Sequence, residues 1–160
     1  MNPVELHIYD FDMTLYESPQ PPEPDPVWWF HAYPLYGFGA PGFDSRWILP
    51  VLVKARRSTQ TPGVLTVLLT ARADSAPLKQ VIKKMMRTAG LGFNLVQLKP
   101  VDTTLSTPGY KAAVVHKLLQ RHPSIRKVSF YDDIQANVDR VGDVVRKAGL
   151  PYMGVVVAPV

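Results

Sequence analysis

The stretch HIYDFDMTLYES, residues 7–18, sets two carboxylates, Asp10 and Asp12, two positions apart at the end of an apolar run, with the Thr14 hydroxyl two positions further on. Side chains at i and i+2 of an extended chain point to the same side, so both carboxylates can face one point beyond a strand end. Two close carboxylates repel unless a cation or a shared proton relieves them, and magnesium, a hard ion that takes oxygen ligands, is one such cation. Polar residues close other apolar runs as well: Thr70 and Arg72 in VLTVLLTAR, and Asp132 and Asp133 in VSFYDD, with Lys111 ahead of the latter in GYKAAVV. A carboxylate nucleophile, a second carboxylate for proton transfer, a hydroxyl, a lysine and an acidic metal pair suit phosphoryl transfer, which needs positioning and neutralisation of phosphate charge. Each residue alone has a structural explanation, Thr70 as a strand residue, Lys111 as a solvated helix residue and Asp133 as a helix N-cap. The chemistry rests on their joint occurrence at strand ends.

The elements that must bring them together are legible in the hydrophobic pattern. Strand-like runs fall at 4–11, 64–70, 93–98, 127–131 and 154–157, and helical spacing at 45–57, 77–89, 110–121 and 134–148. Pro77 suits a first helical turn, and Gly90 and Gly149 stand just past helices, where a left-handed residue is wanted. In the last helix Ile134, Val138, Val141, Val144 and Val145 share one face, the pattern of a helix laid on a sheet. Alternating strands and helices predict an α/β, three-layer Rossmann-like fold: a mainly parallel five-stranded sheet with helices on both faces. Ligands of such sheets bind beyond the carboxyl ends of the strands, where the polar residues named above stand.

With 160 residues the chain fits a single domain spanning 1–160 that can bury a full core. It contains no cysteine, which excludes disulfides, thiolate metal sites and thiol catalysis, and accords with a cytoplasmic location. No apolar run reaches membrane-spanning length and no leader pattern opens the chain, so a soluble protein with no membrane partner is expected. The net charge of +5 favours polyanionic partners without specifying one. Residues 18–44 break the alternation: seven prolines, glycines at 37, 39 and 42, and the aromatic run Trp28, Trp29, Phe30 and Tyr33 argue for an ordered insertion over the site.

These motifs together resemble the haloacid dehalogenase (HAD) phosphatase superfamily. DFDMT after the first strand, LLTAR at the second, GYKAAVV before the fourth and FYDD after it follow one another in the superfamily's order. The resemblance implies Asp10 as the nucleophile that accepts the phosphoryl group and Asp12 as the acid that protonates the leaving alcohol and then activates water. It further implies Mg2+ held by Asp10, the Asp12 backbone carbonyl, Asp132 and Asp133, and a phosphoryl group bound by Thr70 and Lys111, with Thr14 and Arg72 beside the substrate. Lys99, in QLKP, competes with Lys111 for the lysine role; Lys111 is preferred because it opens the helix leading into the acidic strand. Met13 stands where many members have Gly, and the space between Thr70 and Lys111 leaves no room for a large cap.

Within the superfamily the chain is similar in flavour to the HAD domain of Swiss Army Knife RNA repair proteins, through the Pro- and Trp-rich segment after the first motif and TPGYKAAVV ahead of FYDD. That similarity implies a phosphomonoesterase working through an aspartyl phosphate, with phosphorylated 3′ or 5′ nucleic-acid ends as substrate. Trp28, Trp29, Phe30, Tyr33, Tyr36 or Trp47 would stack on bases, and Arg56, Arg57, Lys79, Lys83, Lys84 and Arg87 would follow a phosphate backbone. The alternatives are a phosphatase of small nucleotide or sugar phosphates with the insertion as lid, and a catalytically silent binding module on the same fold.

Overall fold

Five apolar runs form five parallel strands, and the chain's winding order decides which of their ends meet. The computed structural model describes residues 2–40 and 44–159. Along the chain come β1 (Glu5–Tyr9), α1 (Leu49–Gln60), β2 (Val64–Ala73), α2 (Ala76–Thr88), β3 (Leu95–Lys99), α3 (Thr107–Arg121), β4 (Lys127–Asp132), α4 (Gln135–Lys147) and β5 (Tyr152–Val156). The sheet order is β3-β2-β1-β4-β5, every pair parallel. The chain moves outward from β1 through β2 to β3, then returns to β1's other side for β4 and β5. The switch point of this winding, where ligand crevices form, therefore lies between the carboxyl ends of β1 and β4.

Strand alternation divides the core in two. Tyr9, Leu68 and Tyr131 face α1 and α2, whereas Ile8, Val67 and Phe130 face α3 and α4. Each such apolar side chain, fully buried, contributes about 1.5–3 kcal/mol before entropic costs, and covering both faces explains why the central strands read as near-continuous apolar runs. The helix ends follow local chemistry. Ser75 and Ser106 cap α2 and α3 by accepting the Leu78 and Gly109 N–H groups. Gly90 and Gly149 take positive φ after α2 and α4, and the N–H groups of the residues that follow them close back on Met86 and Val145.

Most boundaries shift by a few residues from the sequence reading, β1 ending at Tyr9 and α3 opening at Thr107 among them, and two of the shifts bear on the site. The first long helix begins at Leu49 rather than at 45, because Trp47 bridges to Tyr16 and the Ile48 N–H is given to the Leu15 carbonyl at 2.8 Å. β2 runs on to Ala73, so that Thr70, expected at its end, and Arg72, expected after it, both lie inside the strand. The proline-rich insertion is ordered over its described part, with short 3-10 turns at Trp28–Phe30 and Tyr33–Leu35. Ala32 and Leu35 enter the core beside α1 and α2. Residues 41–43, which the insertion includes, lie outside the described residues. No helix among the described residues is long and apolar enough to cross a membrane.

Candidate active site

Asp10 leaves β1 with its N–H bonded to the Tyr131 carbonyl at 2.9 Å, which sets it beside the end of β4. Asp132 closes β4, and Lys111 reaches between the two from the second turn of α3. Its Nζ donates to Asp10 Oδ1 at 2.8 Å and to Asp132 Oδ2 at 2.7 Å. Thr14 Oγ1 donates to Asp10 Oδ2 at 2.9 Å. Asp132 also accepts the Ile134 N–H and the Asn137 side-chain amide. Asp10, Asp132 and Lys111 are all buried.

Burial raises the Asp10 carboxyl well above the usual carboxylate range; the Lys111 ammonium opposes that shift and Asp132 adds to it. Burial also raises Asp133, against a contact with Asp10 that lowers it. Lys111 behaves oppositely: burial lowers it, but Asp10 and Asp132 on either side outweigh burial and hold it above its ordinary value. Carboxylate oxygens of Asp10, Asp132 and Asp133 lie within 4.8 Å of one another. In their ionised forms, three carboxylates against one ammonium leave two negative charges unbalanced, which one divalent cation would cancel. The all-oxygen donor set is the kind that magnesium takes. The residues present thus fit the ion that the resemblance implies.

Asp12 is held on the other side of the cavity. Arg72 grips it as a fork, Nε at 2.9 Å from Oδ2 and Nη2 at 2.7 Å from Oδ1, and Ser18 Oγ donates to Oδ1 as well. A bidentate guanidinium fixes a carboxylate's plane as well as its position. The guanidinium is itself covered by the Trp29 ring, 5.1 Å from the ring centroid. Its third nitrogen, Nη1, is buried without a partner, a donor left over for a phosphate or sugar oxygen. Between the two aspartates Met13 has φ 60°, a left-handed conformation that costs a non-glycine residue about 1–2 kcal/mol. This is the physical content of the Met that stands where many superfamily members carry Gly.

A cavity of about 380 Å3 is lined by Asp10, Asp12, Trp29, Arg72, Lys111 and Asp133, among others. Of the residues singled out from sequence, Thr14 is fully buried and supports Asp10 from behind rather than facing the cavity. Thr70 is buried within β2, its Oγ1 accepting the Arg72 N–H at 3.1 Å. Trp28 is buried too, with its indole N–H on the Pro19 carbonyl, and anchors the insertion; Trp29 is the one that reaches the cavity. Lys99 lines a neighbouring cavity instead. Asp133 does not cap α4, whose N-cap position is Ile134 with no side-chain bond. Sequence reading missed Ser18, Gln20, Thr107 and Asn137. Thr107 in the first turn of α3 and Asn137 in the first turn of α4 were findable as polar residues opening helices at the strand ends; Ser18 and Gln20 carried no local signal.

The comparisons with known proteins agree with this fold. The chain is 25% identical over 187 residues to the uncharacterized protein YMR265C of Saccharomyces cerevisiae, covering 93% of this chain and 38% of that one. In three dimensions it is similar to a chain of the Pnkp1/Rnl/Hen1 complex (TM-score 0.59, 17% identity, 96% of this chain and 46% of that one). It is also similar to the HAD domain of effector protein Lem4 from Legionella pneumophila (TM-score 0.60, 13% identity, 98% and 87%). The chain thus spans less than half the length of the yeast relative and of the repair-complex chain. Residues 25–151, most of the chain and inclusive of Thr70, Lys111, Asp132 and Asp133, match the model of HAD domain family 1 in Swiss Army Knife RNA repair proteins. On that match the chain belongs to this HAD domain family.

Proposed function

We propose that the protein is a magnesium-dependent phosphomonoesterase that works through an aspartyl phosphate and acts on phosphorylated nucleic-acid ends. The observation that carries the reading is the Asp10–Lys111–Asp132 bridge, with Asp133 beside it, at the switch point of the sheet. Asp10, Asp132 and Asp133, with the Asp12 backbone carbonyl, would hold Mg2+; when bound, the ion supplies neutralisation of phosphate charge.

Asp10, oriented by Thr14 and Lys111, attacks phosphorus as the bond to the leaving alcohol breaks, and Asp12 gives that oxygen its proton. A water then attacks the aspartyl phosphate as Asp12 takes its proton back, which releases phosphate and restores Asp10. Lys111 offsets the negative charge on the transferring group, and the free Arg72 Nη1 binds one of its oxygens or the adjoining sugar. Arg72 and Ser18 keep Asp12 in place while Oδ2, with one hydrogen-bond donor only, retains capacity for the travelling proton. Nucleic-acid ends are favoured by the family's connection to RNA repair proteins and by the Trp29 ring at the cavity wall.

The test is phosphate release, with and without Mg2+, from p-nitrophenyl phosphate, mononucleotides, and 3′- and 5′-phosphorylated oligonucleotides. Release that needs Mg2+ and vanishes in Asp10→Asn is the expected result. Substantial residual turnover in Asp10→Asn would sink the nucleophile assignment, and a preference for mononucleotides would move the substrate to small phosphates.

A further inference from the structure

The cavity that holds Asp10 does not end at its own walls. Trp29, Ala71 and Thr107 line it and also line a second cavity of about 320 Å3, which contains Phe30, Lys99 and Val101. Pro100 and Thr103 of that second cavity line a third, of about 230 Å3, between the edge strand β3 and α3, with Gln97, Tyr110, Lys117 and Arg121. The three spaces share walls in succession and, taken together as one trench, start at the site carboxylates and reach the side of α3.

The chemistry of the trench changes along its length. Its head is acidic, whereas the two outer cavities are lined by three cations, Lys99, Lys117 and Arg121, and by no Asp or Glu. Among the described residues none of the three cations is in an ion pair. Two acids stand close without lining these cavities: Asp74, whose N–H is bonded to the Lys99 carbonyl, pairs with Lys79 at 3.7 Å, and Asp102 follows Val101 in the chain. Beside Lys99 in the second cavity stand two exposed apolar groups, Phe30 at 57% and Val101 at 72% exposure. Tyr110, a buried residue of the third cavity, carries a hydroxyl without a hydrogen-bond partner of good geometry; Gln97 beside it gives its amide to the Leu98 carbonyl. Cations together with exposed apolar and aromatic surface are what a single strand requires, phosphates for the charges and base faces for the apolar groups.

We infer that this trench is the track of a single-stranded nucleic acid whose phosphorylated end sits at Asp10, with Phe30 and Val101 under its bases and Lys99, Lys117 and Arg121 on its phosphates. The inference rests on the phosphomonoesterase reading only for what happens at the head of the trench. From Lys111 at the site to Arg121 at the far end, α3 rises about 15 Å, room for about four stacked nucleotides at ~3.4 Å each. A dinucleotide therefore engages the head alone, and an eight-nucleotide strand fills the track.

The experiment is fluorescence anisotropy with labelled single-stranded RNA and DNA of two and eight nucleotides, terminally phosphorylated, on the Asp10→Asn protein in Mg2+. The eight-nucleotide strand is expected to bind at least about tenfold tighter than the dinucleotide. Its affinity should fall about 20-fold from 50 to 200 mM salt, the loss for three phosphate contacts on a single strand. Lys117→Ala with Arg121→Ala should cut that salt loss to about threefold and bring the long strand down toward the dinucleotide. Both positions are exposed on α3, so the variant folds, and Lys117→Glu gives a second, charge-reversed check. Equal affinity for two and eight nucleotides, or an unchanged eight-nucleotide affinity in these variants, overturns the track. A phosphopeptide of matched charge that competes as well as the strand overturns its assignment to nucleic acid. Phosphate release from p-nitrophenyl phosphate by the unaltered protein is measured in parallel: its absence defeats the catalytic reading while the binding ratios still decide the track.

Discussion

Replacing Lys111 by methionine tests the centre of the site through stability as well as turnover. The Lys111 side chain is 2% exposed, and its two acceptors, on Asp10 and Asp132, are 8% and 0% exposed. Methionine keeps an unbranched stem of similar length, so the packing change is small; what is lost is the charge between two buried carboxylates. Removing one partner of a buried ion pair costs about 3–5 kcal/mol, because the remaining charge is left uncompensated. A domain of this size loses about 2–4 °C of Tm per kcal/mol, so Lys111→Met should melt roughly 6–20 °C lower in EDTA. The pH dependence has a definite sign. Burial already raises Asp10, and the attraction of Lys111 opposes that rise, so the variant raises Asp10 further. A carboxyl whose folded pKa is raised binds more protons folded than unfolded, and stability then falls as pH rises. The deficit is therefore smallest near the ordinary carboxyl range, about pH 4, and grows with pH through the raised value. Thermal unfolding of both proteins at pH 5 and pH 8 in EDTA reads this directly. A Tm difference under 2 °C at pH 8, or a deficit that widens toward acid, would refute the reasoning.

Mg2+ should raise the Tm of the unaltered protein: at a hundred times its Kd the linkage is about 2.7 kcal/mol, or roughly 5–10 °C. The rise should be lost in Asp132→Asn, and its persistence there would move the ion elsewhere. Arg72→Lys keeps the charge but not the fork that grips Asp12; kcat for phosphate release should fall about 10- to 100-fold with a smaller change in KM, and a kcat within twofold would show that Asp12 needs no such positioning. Gly154→Ala would put a Cβ 2.5 Å from Val138 Cγ1 and 2.7 Å from the Tyr152 ring, overpacking that costs about 1–3 kcal/mol; an unchanged urea midpoint would show that α4 shifts freely on β5.

Much of the fold is legible in the sequence because its signals are local. Period-two and near-continuous apolar runs specify strands, Pro77 and the two glycines at 90 and 149 mark helix ends, and alternation of the two element types implies parallel strands. The motif residues Asp10, Asp132 and Asp133 are legible for the same reason, since each stands at or next to a strand end, and Lys111 through its place near the start of the helix that leads into β4. Other residues could not be sorted locally. Trp28 and Trp29 are identical neighbours, yet one ring is buried under the insertion and the other covers Arg72. Arg72 reads as a substrate-side residue just past the second strand until Asp12, 60 positions away, is found in its fork. The basic residues expected to follow a nucleic acid were those of the first two helices, but α1 and α2 lie on the sheet face opposite α3. Arg56 there is bonded to the Ala89 carbonyl at 2.9 Å.

The sequence by itself therefore determined the class of fold, the order of its elements and the set of carboxylates offered as the site, because periodicity and strand-end position are properties of a few consecutive residues. Only the tertiary structure decided that Lys111 rather than Lys99 bridges the aspartates, that Arg72 and Ser18 hold Asp12, and which face carries the trench. Those outcomes depend on how the chain winds about β1, which brings residues from opposite ends of the sequence to one switch point and sends neighbouring side chains to opposite sides of the sheet.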